Sequence, residues 1–162
     1  MAYRIAWFKV HKPLAFYSAY FSIRAKAFDA SCMVLGDTVC LDKIHELQAK
    51  ERDKTISAVE KDMMTTLEVV HEFYHRGFVF EPMDIYKSEA KHFVITEKGL
   101  IPPFSSGEQA AQAIVEERKN GPFLSQEEIV VRCSRVSKSV VETLASIGAL
   151  SEMPTSTQVS LF

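Results

Sequence analysis

The stretch that decides the fold reads Leu100-Ile-Pro-Pro-Phe-Ser-Ser-Gly-Glu-Gln-Ala-Ala-Gln-Ala-Ile-Val-Glu-Glu-Arg-Lys-Asn-Gly121. Pro102-Pro103 prevents regular structure at its start, and a small Ser105-Ser106-Gly107 turn then leads into an alanine-rich helix. A glycine next to a helix N-terminus brings backbone N–H groups close to an anion. The stretch therefore predicts a helical connection that can hold a phosphate; the alternative is an ordinary loop between two helices.

The composition is that of a globular protein. Of 162 residues, 47% are hydrophobic and 25% are charged. No apolar segment is long enough to cross a bilayer, and the N-terminus has no signal-peptide pattern, so no membrane partner is expected. Cys32, Cys40 and Cys133 fit no metal or disulfide spacing. These features favour a reducing cytoplasm.

The charge distribution gives mixed signals about nucleic acid. The net charge is −2, and between residues 100 and 150 five Lys or Arg stand against six Glu. The first 30 residues are locally basic and rich in aromatics, a combination that suits a surface for phosphates and bases. The alternative is a buried aromatic helix with Lys and Arg stems reaching to water.

Periodicity and capping signals predict a mainly helical chain with a small sheet (α+β). Ser57 with Glu60, and Ser125 with Glu128, form capping-box patterns that start helices. Phe78–Phe80, Met83–Tyr86 and Phe93–Thr96 are typical of short strands, with Lys98-Gly99 as a turn. The other predicted helices cover residues 1–10, 14–24 (apolar almost all round and so buried), 28–35, 37–50, 108–119 and 137–147.

His71-Glu-Phe-Tyr-His75 matches the H-E-x-x-H zinc pattern on a predicted helix. Two imidazoles at i and i+4 share a face, Glu72 could act as a general base, and Glu89 or His92 could supply a third ligand. The alternative is a solvent-facing histidine pair beside the core stripe. We favour that alternative and predict no metal site.

The last five residues, Gln158-Val159-Ser160-Leu161-Phe162, form a peptide that suits a pocket on another protein. Gln158 offers hydrogen bonds, and Leu161 and Phe162 are two apolar side chains for burial. The alternative is a frayed terminus that touches its own domain.

Taken together, these stretches resemble the C-terminal part of a bacterial C-family replicative DNA polymerase, the PolC type of the DNA polymerase III alpha subunit. The resemblance covers nearly the whole chain and is weakest over residues 37–75. Its most specific blocks are Leu100–Phe104 and the tail. The remaining blocks are Tyr3–Tyr17, Arg76–Phe80, Met83–Ser88, Ala110–Val115 and Gly121–Ser125.

The resemblance implies three regions. Residues 1–99 would be a helical part of the fingers with the small sheet, and Arg4, Lys9 and Lys12 would face the nucleotide and template. Residues 100–153 would be a tandem helix-hairpin-helix region that holds duplex DNA. Residues 154–162 would be a flexible tail in which Gln158–Phe162 binds the sliding clamp (beta subunit). The predicted DNA-binding residues are Ser105, Ser106, Gly107, Arg118, Lys119 and Lys138.

Two departures from the family pattern bear on function. The family's first hairpin carries several more residues, with a hydrophobic-Gly-hydrophobic-Gly pattern, where this chain has only Ser105-Ser106-Gly107. The palm with its metal-binding aspartates is not in the sequence, so Met1 is expected to be an internal or introduced methionine. The chain alone is then expected to be inactive as a nucleotidyltransferase, with no catalytic residue and no cofactor. The parent polymerase would need Mg²⁺.

The expected partners are duplex DNA, the clamp and the remainder of the polymerase chain, in the bacterial cytoplasm. Two alternatives stay open. One is a small zinc hydrolase built on His71, Glu72 and His75. The other is a free-standing adaptor that binds the clamp through its tail but does not bind DNA.

Overall fold

A computed structural model describes residues 2–25, 28–104, 107–151 and 153–156, without the side chains of residues 2, 30 and 31. The chain divides into two compact units. Unit 1 comprises Met1–Glu81 and Ile95–Leu100, and unit 2 comprises Pro82–Val94 and Ile101–Phe162. The fold class predicted from the sequence, mainly α with a small sheet, is confirmed.

The described elements are, in chain order, α1 (Ala2–His11), α2 (Pro13–Ala19), α3 (Ala30–Met33), α4 (Asp37–Arg52), α5 (Ala58–His75), β1 (Val79–Phe80), β2 (Val94–Ile95), β3 (Gly99–Ile101), α6 (Glu108–Glu117), α7 (Gln126–Arg132) and α8 (Lys138–Ser146). A π-helical turn, Tyr20–Arg24, continues α2, and a 3₁₀ turn, Arg118–Asn120, continues α6. No described helix combines the length and apolar character needed to cross a lipid bilayer.

Unit 1 is held by α4 packed against α5 and by a cluster of aromatic rings. The Ser57 side chain accepts a hydrogen bond from the Glu60 N–H, while the Glu60 carboxylate accepts one from the Ser57 N–H, so the predicted capping box is present. Phe73 of α5 lies 5.2 Å from Tyr17 and 4.6 Å from Phe80 between ring centroids. Both Tyr17 and Phe73 are fully buried, so these rings form the centre of the core.

The sheet has the order β1-β3-β2, and β1 pairs in parallel with β3. Gly99 allows this pairing, because a Cβ added there would lie 1.7 Å from the Val79 carbonyl oxygen. Unit 2 is built around one apolar cluster, which includes Ile114 of α6, Ile129 of α7 and Leu144 of α8, all fully buried.

Three local predictions are wrong. Met83–Tyr86 is not a strand, and Ile85–Lys87 form a turn instead, because the Asp84 carboxylate accepts hydrogen bonds from the N–H groups of Tyr86 and Lys87. Gly99 begins a strand where the sequence predicts a turn. The helix over residues 14–24 is not buried all round, since Ile23 is 73% exposed.

Candidate nucleic-acid interface

The connection between α6 and α7 is tied together by Arg132, at the last position of α7. Its guanidinium donates hydrogen bonds to the Glu117 carboxylate at 3.1 Å and to the Glu128 carboxylate at 3.2 Å. It also donates to the backbone carbonyls of Glu117, Gly121 and Pro122, at 3.0 to 3.2 Å. One side chain thus fixes both ends of the connection and the start of the next helix.

Arg118, a predicted DNA-binding residue, lies with its guanidinium turned into unit 2. It donates to the backbone oxygens of Ile85 at 3.0 Å and Ser88 at 2.7 Å, and to the Glu89 carboxylate at 3.0 Å. Its side chain is only 13% exposed. These hydrogen bonds engage both terminal nitrogens of the guanidinium.

The N-terminus of α6 is the phosphate site that the sequence predicts. Gly107 is its N-cap, with φ of 89°, while Ser105 and Ser106 lie outside the described residues. The first helical residue is Glu108, whose carboxylate pairs with Lys91 at 2.6 Å. A carboxylate in the first turn already interacts with the positive helix end and repels a second anion.

The N-terminus of α7 is also acidic. Ser125 caps it by accepting a hydrogen bond from the Glu128 N–H, and Glu127 and Glu128 lie in its first turn. The hydrogen bond from the Leu124 N–H at 2.6 Å is the main reason that the pKa of the Glu128 carboxyl is lowered; burial opposes it, and the Arg132 guanidinium adds to it. Glu128 therefore stays ionised at neutral pH.

The N-terminus of α8 differs from the other two. Its N-cap, Ser137, makes no side-chain capping hydrogen bond, and its first turn holds no acidic residue. The first turn of a helix leaves backbone N–H groups without helical partners, and Lys138 adds a positive charge there. Among the described helices of unit 2, this N-terminus is the one best arranged to receive an anion.

Two buried residues support the hairpin that precedes α8. Cys133 and Val136 are 2% and 4% exposed, and the Val136 N–H donates to the Cys133 carbonyl oxygen at 2.9 Å. Burial is the main reason that the pKa of the Cys133 thiol is raised, so the thiol stays neutral in the core. Ser134 and Arg135, which lie between Cys133 and Val136 in the chain, are exposed just before the start of α8.

The other predicted basic contacts lie on the surface. Lys119 and Lys138 are exposed in unit 2, and Arg4 and Lys12 are exposed in unit 1. Lys9 instead pairs with Glu72 at 2.7 Å. The predicted clamp-binding residues Gln158, Val159, Ser160, Leu161 and Phe162 lie outside the described residues.

The geometry of Glu72 does not favour the hydrolase alternative. Its carboxylate accepts hydrogen bonds from Lys9 at 2.7 Å and from the Tyr17 hydroxyl at 2.7 Å. Burial raises the pKa of Glu72, but these two hydrogen bonds outweigh burial and the pKa is lowered overall. Burial also raises the pKa of Tyr17 to about 12, and the bond to Glu72 adds to this. A carboxylate held in this way is a weak general base.

Sequence reasoning did not single out Arg132, Ser137 or Arg135. The role of Arg132 depends on carbonyl groups that only the folded connection brings together, and no sequence signal could have indicated it. The acid-free first turn of α8 was visible in the sequence, as the contrast between Lys138-Ser139 and the acidic starts of α6 and α7.

Three helices joined by short connections, the first held by Arg132 and the second by the buried Cys133 and Val136, define unit 2 as a helix-hairpin-helix module. Residues 77–159 match the family described as the helix-hairpin-helix motif, and the chain belongs to this family. The whole chain is in addition similar to a part of DNA polymerase III PolC-type. The identity is 46% for Caldanaerobacter subterraneus subsp. tengcongensis, 46% for Streptococcus suis and 45% for Bacillus cereus.

These alignments include 100% of this chain but only 12%, 11% and 11% of the respective relatives. The chain therefore spans about a ninth of the length of the curated relatives that it matches. The similarity to PolC-type polymerases that the sequence motifs indicate is confirmed.

Proposed function

We propose that this chain acts in DNA replication as part of a PolC-type DNA polymerase, where it binds duplex DNA, contributes to the fingers and attaches the enzyme to a sliding clamp. Nucleotidyl transfer and its Mg²⁺ are assigned to other parts of such a polymerase. The observation that carries the DNA-binding role is the acid-free N-terminus of α8, which follows a short hairpin inside the helix-hairpin-helix match.

The proposed phosphate contact uses the backbone N–H groups in the first turn of α8, with Lys138 and the neighbouring Arg135 as the charged partners. Such contacts hold the DNA backbone and do not read the bases, so binding is independent of sequence. Lys119 is proposed as a further phosphate contact. Gly107 supports the start of α6, and Arg118 positions the loop it bonds to rather than touching DNA.

The test of this site is the affinity of the chain for a fluorescent duplex, measured by anisotropy at several salt concentrations. Each phosphate contact lowers log K by about 0.9 per unit of log salt. Lys138→Gln is expected to weaken binding to all duplex sequences and to reduce the slope by about one. Lys98→Gln, an exposed lysine of unit 1, is the matched control. An unchanged slope in Lys138→Gln contradicts the proposed contact.

The proposed clamp contact is the tail peptide, Gln158–Phe162. Burial of Leu161 and Phe162 contributes roughly 1.5–3 kcal/mol each, against the cost of ordering a tail, so a Kd on the order of micromolar is expected. Deletion of the five residues should abolish capture by a bacterial sliding clamp, while Lys138→Gln should be captured normally. Clamp capture that survives the deletion removes this proposal. Clamp capture without any salt-dependent DNA binding identifies the adaptor alternative.

The proposed fingers role rests on α1. Several large apolar residues of this helix are exposed, with Tyr3 at 82%, Trp7 at 41% and Phe8 at 49%. An aromatic surface of this kind is suited to another protein surface, and the relatives have far more chain than this one to supply it. Arg4 and Lys12 then lie at the edge of that contact, where they could face the template. If Trp7 fluorescence is unchanged on addition of the remainder of a PolC-type polymerase, α1 is not the contact.

A further inference from the structure

Asp37, His71 and His75 bring three metal-ligand atoms together in unit 1. The His71 Nδ1 lies 2.5 Å from the Asp37 Oδ1, and the His75 Nε2 lies 3.8 Å from the Asp37 Oδ2. The two imidazole rings are 4.3 Å apart between centroids, at an interplanar angle of 83°. All three ligand atoms lie within 4.8 Å of one another.

The helices explain why these groups meet. His71 and His75 are four residues apart on α5 and so share one face of it. Asp37 is the first residue of α4, the helix packed against α5, and Gly36 precedes it as N-cap. The His71 side chain is 29% exposed, the Asp37 side chain 33% and the His75 side chain 65%. One side of the cluster is therefore supported by the core, and the other is open to water.

We propose that Asp37, His71 and His75 form a binding site for a divalent transition-metal ion of the zinc class. Two imidazole nitrogens and one carboxylate oxygen are typical zinc ligands, and water from the open side completes four-fold coordination. Ligand atoms around a tetrahedral zinc ion lie about 3.4 Å apart, from bond lengths near 2.1 Å. The three ligand atoms lie within 4.8 Å of one another here, so side-chain movements of up to about 1.4 Å bring them to the spacing of a tetrahedral zinc site.

This site differs from the zinc site that the sequence pattern suggests. The third ligand is Asp37, which precedes the two histidines in the chain, and not Glu89 or His92. Glu72, the residue that would serve as the base of a hydrolase, is held by Lys9 and Tyr17 instead. The ion therefore links α4 to α5 and stabilises unit 1, rather than activating water for hydrolysis.

The test is zinc binding to the untagged chain, after treatment with a chelator, measured by isothermal titration calorimetry in a buffer that does not coordinate metals. We expect one zinc per chain. His75→Gln and Asp37→Asn should each lower the affinity at least tenfold. His45→Gln, an exposed histidine of α4 outside the cluster, should bind like the parent chain. Equal affinity in His75→Gln and the parent chain overturns the proposal.

Two further measurements test whether zinc binds at a thiol instead and whether its binding stabilises unit 1. Cys32 is a partly exposed thiol, so Cys32→Ser should keep the site, and loss of zinc binding in that variant assigns the metal to the thiol instead. Zinc should raise the melting temperature of the parent chain and of His45→Gln, but not that of His75→Gln. Because the His75 side chain is mostly exposed, this variant should fold even if Asp37→Asn does not. A melting temperature unaffected by zinc in the parent chain refutes the link between α4 and α5.

Discussion

Replacing Arg118 with alanine should destabilise unit 2 strongly, because its guanidinium makes three hydrogen bonds, two of them to backbone carbonyls of buried residues. Two of the acceptors are backbone carbonyls of Ile85 and Ser88, residues that are 2% and 0% exposed. The third is the Glu89 carboxylate at 3.0 Å. Loss of the donor leaves buried carbonyl groups unsatisfied, at about 1–3 kcal/mol for each group.

The expected loss for Arg118→Ala is about 3 kcal/mol in the free energy of unfolding, since relaxation of the loop recovers part of the full sum. Arg118→Lys keeps the charge but cannot reach three acceptors in a fork, so it should lose a smaller but clear part of the stability. Arg135→Ala is the matched control. Arg135 is an exposed arginine of the same unit, and its replacement should change the free energy by no more than about 0.5 kcal/mol.

The assay is urea unfolding followed by far-UV circular dichroism, together with hydrogen exchange of peptides from residues 82–94. The fluorescence of Trp7, the single tryptophan of the chain, reports on unit 1 and serves as an internal reference. Arg118→Ala should speed exchange in residues 82–94. A loss below about 0.5 kcal/mol would refute the structural role of Arg118. In that case a DNA contact by this residue becomes the better interpretation, and its salt slope should be measured.

Three further predictions concern unit 1. Gly99→Ala should lower the free energy of unfolding by at least about 2 kcal/mol, because the new Cβ clashes with the backbone of β1. The Glu81 N–H, which donates to Leu100, should then exchange faster with solvent, and an unchanged exchange rate would contradict the clash. Tyr17→Phe should lower the free energy of unfolding, measured in urea, by about 2 kcal/mol, because the buried hydroxyl that donates a hydrogen bond to Glu72 is lost. A loss near zero would argue against this hydrogen bond. Hydrogen bonds from Lys50, and to a smaller extent from Ser57, lower the pKa of Glu60 from 4.5 to about 2. The ionised Glu60 carboxylate therefore contributes its full share of the stability above pH 4.5, and this share is lost as the pH falls to 2. Glu60→Gln should therefore flatten the stability curve between those two pH values, and an unchanged curve would show that another carboxylate is responsible.

The helices of this chain are predictable from the sequence, because their ends carry local signals. The capping pattern of Ser57 and Glu60 predicts the start of α5, and Ser125 with Glu128 predicts the start of α7, since these contacts involve residues only three positions apart. The strand that begins at Gly99 is not predictable from the local sequence. Its only local signal is a Lys-Gly pair typical of a turn, and its extended shape depends on pairing with β1, about twenty residues earlier.

The candidate site was predictable only in part. The sequence predicts Lys138 as a DNA contact, and Lys138 lies at the acid-free N-terminus of α8. The sequence also predicts a phosphate site at the start of α6, but α6 begins with the ion-paired Glu108. The cluster of Asp37, His71 and His75 has no signal in the sequence spacing, because Asp37 is 34 residues from His71. Spacing within one helix can indicate two ligands, but the third comes from the packing of α4 on α5.

The net charge of this chain is a poor guide to whether it binds DNA, because many of its charges neutralise one another within the fold. Arg118 and Arg132 point into unit 2, where each forms ion pairs with glutamates. These pairs engage two arginines and three glutamates, so part of the positive charge and part of the negative charge are neutralised within unit 2. Arg135 and Lys138 remain exposed beside the start of α8, where the helix end is itself positive. The electrostatic part of DNA binding should then come from a few local contacts, and the salt slope should be about −2 to −3 rather than the steep slope of a basic domain. A much steeper slope would require more phosphate contacts than Arg135, Lys138 and Lys119 can provide and would contradict the assignment of binding to these residues.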